Sequence, residues 1–289
     1  MYYYLADKQE DKMKNTLTLS LKITNWCNLN CAHCCENSGK NRAKRFLPLE
    51  KIEKYLQEFK ELPYDLSEYV VIGGGEGLSP YLFGNFDYIP NLLKEINKVG
   101  GISTIKTNGV WGNNAVARKL ILKDLAIFAH KIGKVVSLDI SLDEFHDNIT
   151  AVADIFSEIL SDDYIAVSIR PALLGFYTDG SSNALLQLKS ELKSRKIAIT
   201  ETTKGDWCVY NEQNQGIFII TDYNNEIFDL GRAKKNKVFT YRQTKPGLLK
   251  TNCVQIDNND VVTLNNVYSE KINGRPLKTV IDNLIKRTK

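Results

Sequence analysis

No stretch of these 289 residues reaches the ~18 uninterrupted apolar residues that a membrane helix needs. A helix-spanned membrane protein is therefore excluded. The start, MYYYLADKQEDKMKN, lacks a basic region followed by an apolar run, so a secretory signal is not expected and a cytoplasmic location is. A strong charge imbalance is missing too: 38 Lys and Arg face 34 Asp and Glu, for a net charge of +4. So small an excess demands neither nucleic acid nor a membrane as partner. The Lys-rich run Gly231–Lys237 reads as a solvated loop. Low-complexity segments and internal repeats are absent. Cysteines are few, six in all, and they are not spread as a disulfide framework, which a reducing compartment would disfavour anyway. Cys27, Cys31, Cys34 and Cys35 crowd one short segment, while Cys208 and Cys253 stand alone. Cysteines packed onto one loop suit a metal centre.

What is present is ordinary globular material, 43% apolar and 25% charged, enough for a sizeable core. Short runs rich in Val, Ile and Thr predict strands at Leu17–Thr24, Tyr69–Gly73, Ile102–Thr107, Val135–Ser141, Tyr164–Arg170 and Ile197–Glu201. Amphipathic stretches between them predict helices at Leu49–Leu62, Ile89–Val99, Asn114–Ile132, Ile149–Leu160 and Asn183–Lys196. Repeated strand–helix alternation implies parallel βαβ units, in a closed barrel, a partial barrel or an open doubly wound sheet. Beyond about residue 204 the pattern changes to short strands at Gly216–Thr221, Glu226–Leu230 and Val261–Leu264, joined by Asn- and Asp-rich turns. A last helix is expected at Leu277–Lys286. The division read from this is a lead-in at 1–16, a core at 17–203 and a small α+β extension at 204–289.

The chemistry lies directly after the first strand, in Cys27–Asn28–Leu29–Asn30–Cys31–Ala32–His33–Cys34. Thiolates hold iron–sulfur clusters, and cysteines this close can wrap one cubane. Three ligands leave one iron without a protein ligand, and an open position marks a catalytic site rather than a structural one. Zinc would need four ligands crowded into eight residues and is the poorer fit. A closed four-thiolate sensor site completed by Cys208 or Cys253 is a further alternative. A Gly-rich turn, Gly73–Gly74–Gly75–Glu76, ends the second strand. Glycines permit close backbone approach to a ligand, and the glutamate can accept hydrogen bonds from an ammonium group. Thr107–Asn108–Gly109 follows the third strand. Ser137, Asp139, Ser141 and Asp143 lie along or just past the fourth, where polar side chains are costly without a partner.

On these residues the sequence resembles the radical S-adenosylmethionine (radical SAM) superfamily, over about residues 17–201. The resemblance implies a partial (β/α)6 TIM-like barrel. It implies one four-iron, four-sulfur cluster on Cys27, Cys31 and Cys34, and S-adenosylmethionine as cofactor. His33 would lie by the adenine, and Gly74, Gly75 and Glu76 by the methionine amino group. Thr107 and Asn108 match the family's TNG segment. Ser141, Asp143 and Arg170 would meet the ribose and the methionine carboxylate. Gly77 stands where the family usually has Pro. The implied reaction is reductive cleavage of S-adenosylmethionine to a 5′-deoxyadenosyl radical that abstracts a substrate hydrogen atom, with a flavodoxin- or ferredoxin-type reductant. The tail loosely resembles the SPASM or twitch extensions of peptide-modifying members. It holds too few cysteines for an auxiliary cluster, so a degenerate extension is expected. The leading expectation is a ribosomally made peptide as substrate, epimerised or crosslinked. A small-molecule or nucleotide substrate is the alternative, because only about 16 residues precede the first strand. Cys208 and Cys253 read either as buried small hydrophobes or, by the resemblance to peptide epimerases, as hydrogen-atom donors. Cys35 is expected to be a non-ligand. Asp143–Asp147 reads as the acidic start of a helix or as a substrate or cofactor contact through His146 or Asp143. His130 reads as structural.

Overall fold

The computed structural model describes residues 16–34, 36–175, 183–203, 205–222, 252–264 and 268–287. The expected strand Glu226–Leu230, the run Gly231–Lys237 and Cys35 lie outside them. Strand β1 (Leu17–Thr24) shows how the sequence builds the sheet. Leu17, Leu19, Leu21 and Ile23 are buried at 3% exposure or less and face one way, while Thr18, Ser20 and Lys22 alternate with them. Each fully buried Leu or Ile contributes about 1.5–3 kcal/mol. Helix α1 (Leu49–Lys60) buries Ile52, Tyr55, Leu56 and Phe59 at helical spacing in the same core. The other face carries the polar side chains.

The pattern repeats through β2 (Leu66–Gly74), the short α2 (Ser79–Leu82), α3 (Tyr88–Lys98), β3 (Ile102–Thr107), α4 (Ala115–Ile132), β4 (Val136–Ser141) and α5 (Ile149–Leu160). Asn114 caps α4 by accepting from the Val116 and Ala117 amides, and Gly133 closes it in the left-handed conformation. Next come α6 (Asp163–Ser168), β5 (Ile169–Leu174), α7 (Asn183–Ser194), β6 (Ala198–Glu201), β7 (Trp207–Tyr210), β8 (Gly216–Asp222), β9 (Asn252–Asp257), β10 (Val261–Leu264), β11 (Tyr268–Lys271) and α8 (Leu277–Lys286). They form one sheet in the order β11-β10-β9-β1-β2-β3-β4-β5-β8-β7-β6. From β9 to β8 all neighbours are parallel, and the outer strands at both sides are antiparallel. Among the described residues the sheet does not close on itself, as expected of a partial barrel. Among the described residues no helix is long and apolar enough to cross a membrane.

Two elements differ from the sequence reading. The segment expected as strand Tyr164–Arg170 starts as helix α6, because Asp162 accepts from the Tyr164 and Ile165 amides and caps a helical turn. The strand follows at Ile169–Leu174, so Arg170 falls near its beginning. The pattern at Ile197–Glu201 predicts the next parallel strand. Instead β6 forms an edge hairpin with β7, and β8 takes the place beside β5, pairing Ala172 with Ile220 and Leu174 with Asp222. Burial decides between them: β6 is largely exposed, whereas Ile217 and Ile219 of β8 are buried. The sheet thus runs on past residue 203: β8 pairs with β5, and β9 with β1.

Candidate active site

The loops after β1, β2, β3 and β4 all leave from the C-terminal ends of parallel strands, where α/β barrels place their sites. The loop after β1 is pinned at its base. The Cys27 amide donates to the Gly39 carbonyl at 3.3 Å, and the Gly39 amide to Asn25 at 3.2 Å. Between these ties stand Cys27, Cys31 and Cys34, each a partly exposed thiol. The Cys34 amide turns back to the Cys31 carbonyl at 3.2 Å. Cys27 Sγ accepts from the Leu29 amide at 3.4 Å and from Asn108 Nδ2 at 3.5 Å.

Glycine brings the second loop against the first. Gly74 has φ of +102°, and a Cβ on Gly75 would sit 1.8 Å from the Trp26 carbonyl oxygen. A Cβ on Gly77 would lie 2.4 Å from the Lys106 carbonyl, which explains why no Pro stands there. Glu76, 1% exposed, accepts from the Leu78 amide (3.0 Å), the Thr107 hydroxyl (2.6 Å) and the Asn108 amide (2.8 Å). Burial pushes its carboxyl upward against these bonds. The Thr107 hydroxyl in turn accepts from Trp111 Nε1 at 2.9 Å and the Gly109 amide at 3.1 Å. Asn108 Nδ2 also donates to Asn28 Oδ1 at 2.6 Å, so the third loop touches the cysteine loop.

After β4, Asp143 is buried and does not open a helix, since α5 starts at Ile149. It accepts from the Phe145 amide at 2.9 Å and meets His146 Nδ1 at 2.7 Å. His33 Nε2 lies 3.9 Å from its other oxygen. The His33 ring stacks on Phe145 at 4.4 Å and meets His146 edge-on at 5.2 Å. Burial disfavours both charges, but the contact wins: Asp143 is held below its ordinary value, and His146 is pushed up to about 10. The ligand atoms of His33, Asp143 and His146 lie within 4.8 Å of one another, near enough to share one ion.

These loops enclose a cavity of about 300 Å3, at the lower end of the range for small-molecule sites, ~300–1,000 Å3. Its wall includes all three loop thiols, His33, Gly74, Gly75, Glu76, Thr107, Asn108 and Ser141. Cys253 of β9 joins them, with Gln255. Three expected residues are not in this wall, and Asp143 is one of them, reaching it through His146. Arg170 is the second residue of β5, far from the strand end, and is not in the wall. Cys208 sits on β7, opposite Thr200 and Phe218. A wider cavity of about 420 Å3 lies between the ends of α5 and α7 and the β7–β8 turn, and no thiol lines it. The sequence reading did not find the Lys22–Glu36 pair (2.5 Å) or Gln255, which donates to Glu36 at 2.9 Å. Their signal is long-range register, which local pattern does not carry. The contact of His146 with Asp143 had a visible trace in their three-residue spacing.

The residues fit an iron–sulfur centre. Burial, and then the nearby Glu76, push the Cys27 thiol up to about 12. It becomes a thiolate only against a strong positive charge, which bound iron supplies. Amides aimed at its sulfur are the usual outer partners of such a ligand.

Known proteins agree. The family model described as the Radical SAM superfamily matches residues 21–167, just over half of the chain. YydG of Bacillus subtilis (strain 168), named as a candidate peptide biosynthesis protein, is 27% identical over 131 residues. That match covers 45% of this chain and only 36% of YydG, about a third of its length. Native anSMEcpe with bound AdoMet is similar in fold, with a TM-score of 0.50 at 12% identity, over 92% of this chain and 80% of that one. Streptococcus suis SuiB bound to S-adenosylmethionine gives 0.45 at 12% identity, over 96% and 69%. The fold, the cysteine spacing and the family match converge: this chain belongs to the radical SAM superfamily, whose members carry a four-iron, four-sulfur cluster and S-adenosylmethionine.

Proposed function

We propose that this chain is a radical SAM enzyme that modifies a ribosomally made peptide. The observation that carries the reading is the meeting of three partly exposed thiols on one loop with the Gly-rich turn and the Thr107–Asn108 segment around one cavity. When bound, the cluster and S-adenosylmethionine supply a 5′-deoxyadenosyl radical by one-electron reductive cleavage, fed by a flavodoxin- or ferredoxin-type protein. Cys27, Cys31 and Cys34 hold the iron. Gly74 and Gly75 leave room for a ligand at the backbone, and Glu76 with Thr107 fixes that turn. Ser141 offers a hydroxyl at the cavity edge. Of the two isolated thiols only Cys253 faces the cavity. Burial raises it to about 11, so it keeps its S–H at neutral pH. In this reading it gives a hydrogen atom to a substrate carbon radical; the reductant then returns an electron, and solvent a proton, to the thiyl. Peptide as substrate class is supported by the name of YydG and by SuiB and anSMEcpe, both also described bound to peptides. A cytoplasmic location suits thiols that must stay reduced.

The test is anaerobic reconstitution with iron and sulfide, followed by dithionite and S-adenosylmethionine. About four irons per chain and 5′-deoxyadenosine are expected, with both lost in Cys31→Ala. Iron without cleavage would sink the reading and favour a closed-cluster sensor.

A further inference from the structure

The site as assigned leaves one cation of the cavity wall unused. Two lysines stand on the polar face of the sheet beside Gly73. Lys22 lies opposite Gly73 in the β1–β2 register, and Glu36 neutralises it at 2.5 Å. Lys106 of β3 is exposed and lines the same cavity as Cys253. Among the described residues it has neither an ion pair nor a side-chain hydrogen bond. Its course is set by the neighbouring strand. A Cβ built on Gly73 would lie 3.5–4.0 Å from three carbons of the Lys106 stem. The stem therefore packs on β2 where any longer side chain at Gly73 would stand. Beyond β2 and β1, strand β9 turns Cys253 and Gln255 onto the same cavity of about 300 Å3.

The carboxylates nearby are already committed. Glu36 holds Lys22 and Gln255, Glu76 takes three hydrogen bonds, and Asp143 is paired with His146. Asp139 faces Lys106 in the β3–β4 register, but it accepts from the Ser137 hydroxyl at 3.4 Å and no ion pair joins it to Lys106. Further down the same face, Arg170 stands beside Ser137 in register, and its Nε is buried without a hydrogen-bond partner among the described residues. A lysine on an open surface needs no partner but water. In a cavity with apolar walls, an unpaired positive charge concentrates anions instead.

We propose that Lys106 is a substrate-positioning residue that binds a carboxylate of the peptide, an Asp or Glu side chain close to the residue that reacts, and so presents the reacting carbon to Cys253. The inference rests on the reading of this cavity as the peptide's reaction site, and adds that the substrate is acidic beside its modified residue. One ion pair fixes one end of a flexible chain, which is how positioning groups bring reacting atoms together. A peptide neutral at that point would leave Lys106 without a partner, so selectivity follows as well. S-adenosylmethionine also carries a carboxylate, and the experiment separates the two sources.

The probes are iodoacetate and iodoacetamide, nearly equal in size but differing in a carboxylate against a neutral amide. With either, the cysteine sulfur displaces iodide from the adjacent carbon, so iodoacetate stands in for a carboxylate held next to a reacting carbon. The iron-loaded full chain is treated briefly with each, anaerobically and without added thiol. Labelling of Cys253 and Cys208 is read by peptide mass spectrometry. A change in thiolate fraction speeds both reagents alike, so the ratio of their rates reads capture of the carboxylate. Relative to Cys208, wild-type Cys253 should favour iodoacetate about fivefold, the effect of a partly exposed ion pair. The preference should vanish in Lys106→Met, survive in Lys106→Arg, and persist with S-adenosylmethionine bound and no reductant present. Equal ratios at the two cysteines in the wild type, no labelling of Cys253, or a preference kept by Lys106→Met overturns the proposal. Its loss in Lys106→Arg as well as Lys106→Met assigns the ratio to packing rather than charge and also overturns it. So does loss of the preference, or of Cys253 labelling, on adding S-adenosylmethionine, since substrate and cofactor must share the cavity. Failure of the functional reading shows separately, as a wild type without iron or without 5′-deoxyadenosine.

Discussion

Glu76→Gln is the sharpest probe of how the Gly-rich turn is held. Glu76 accepts three hydrogen bonds, two at Oε1 from Leu78 and Thr107 and one at Oε2 from Asn108. A glutamine has one acceptor oxygen. If that oxygen keeps the Leu78 and Thr107 bonds, its NH2 faces the Asn108 amide, donor against donor. A hydrogen bond to a charged group is worth about 1.5–3 kcal/mol, and a buried donor left unmet costs about 1–3 kcal/mol. These overlap, so a loss of about 2–4 kcal/mol is expected, within the stability of most domains. The pH dependence has a definite sign. Burial raises Glu76 above its ordinary 4.5, so over the interval above 4.5 the folded chain holds a proton that the unfolded chain has released. Wild-type stability therefore falls as pH rises through that interval, while the glutamine variant has no such slope. The deficit should be larger at pH 5 than at pH 8. Urea unfolding of the iron-free chain under anaerobic, reducing conditions reads both quantities. A deficit below about 0.5 kcal/mol at pH 8 would refute the hydrogen-bond argument, which is made for the charged carboxylate, and a deficit growing from pH 5 toward pH 8 would refute the burial argument.

Cys253→Ala should still form 5′-deoxyadenosine but lose most product, whereas Cys208→Ala should keep full turnover; equal losses in both would remove Cys253 from its role. Gly75→Ala puts a Cβ 1.8 Å from the Trp26 oxygen, so overpacking of about 1–3 kcal/mol should lower Tm by several degrees and reduce iron uptake. An unchanged thermal midpoint would count against that close approach. Asp260 accepts from Lys51 (2.5 Å) and from the Tyr55 hydroxyl (2.6 Å). Burial works against its charge, but these partners outweigh it and hold the carboxyl below 3.8. Asp260→Asn should then cost about 1 kcal/mol at pH 7, because the ion pair is partly exposed. That stability is present above 3.8 and lost as pH falls through the lowered folded value, so the two chains should converge in acid; urea midpoints at pH 7 and pH 3 would show it.

Much of this was readable because local signals were strong. The Leu-Thr-Leu-Ser-Leu-Lys-Ile alternation sets β1 at the expected Leu17–Thr24, and the apolar spacing of Leu277, Val280, Ile281 and Leu284 sets the last helix. The cysteine spacing and the GGGE and TNG segments needed only their place after successive strands. Where reading failed, long-range packing had decided. Tyr164–Ser168 is β-rich in composition, but one aspartate cap and the burial of Ile165 make it helical. That shift carries Arg170 from the end of its strand to the start. β6 and β8 both look like strands, and only the fit beside β5 selects β8. Asp143 was recognisable as a site residue, but its nearness to His33 was not: His33 lies more than a hundred residues away in the chain.

Long-range pairing also joins a distant strand to the site. β9 adds to the edge of β1 in register, Cys253 opposite Thr18 and Gln255 opposite Ser20. That register turns Cys253 and Gln255 onto the polar face with Ser20, into the cavity wall. Gln255 holds Glu36, which also pairs with Lys22 and stands two residues after Cys34. Asn258 accepts from Asn25 at the base of the cysteine loop, at 3.2 Å. The loop is therefore braced by the strand that precedes it and by one drawn from the other end of the chain. A metal loop held on one side alone would be free to spread its thiols apart. Held on both, its cysteines face a cavity whose shape is set before any ligand arrives, and fixing ligand positions in advance is what a metal site requires of its protein.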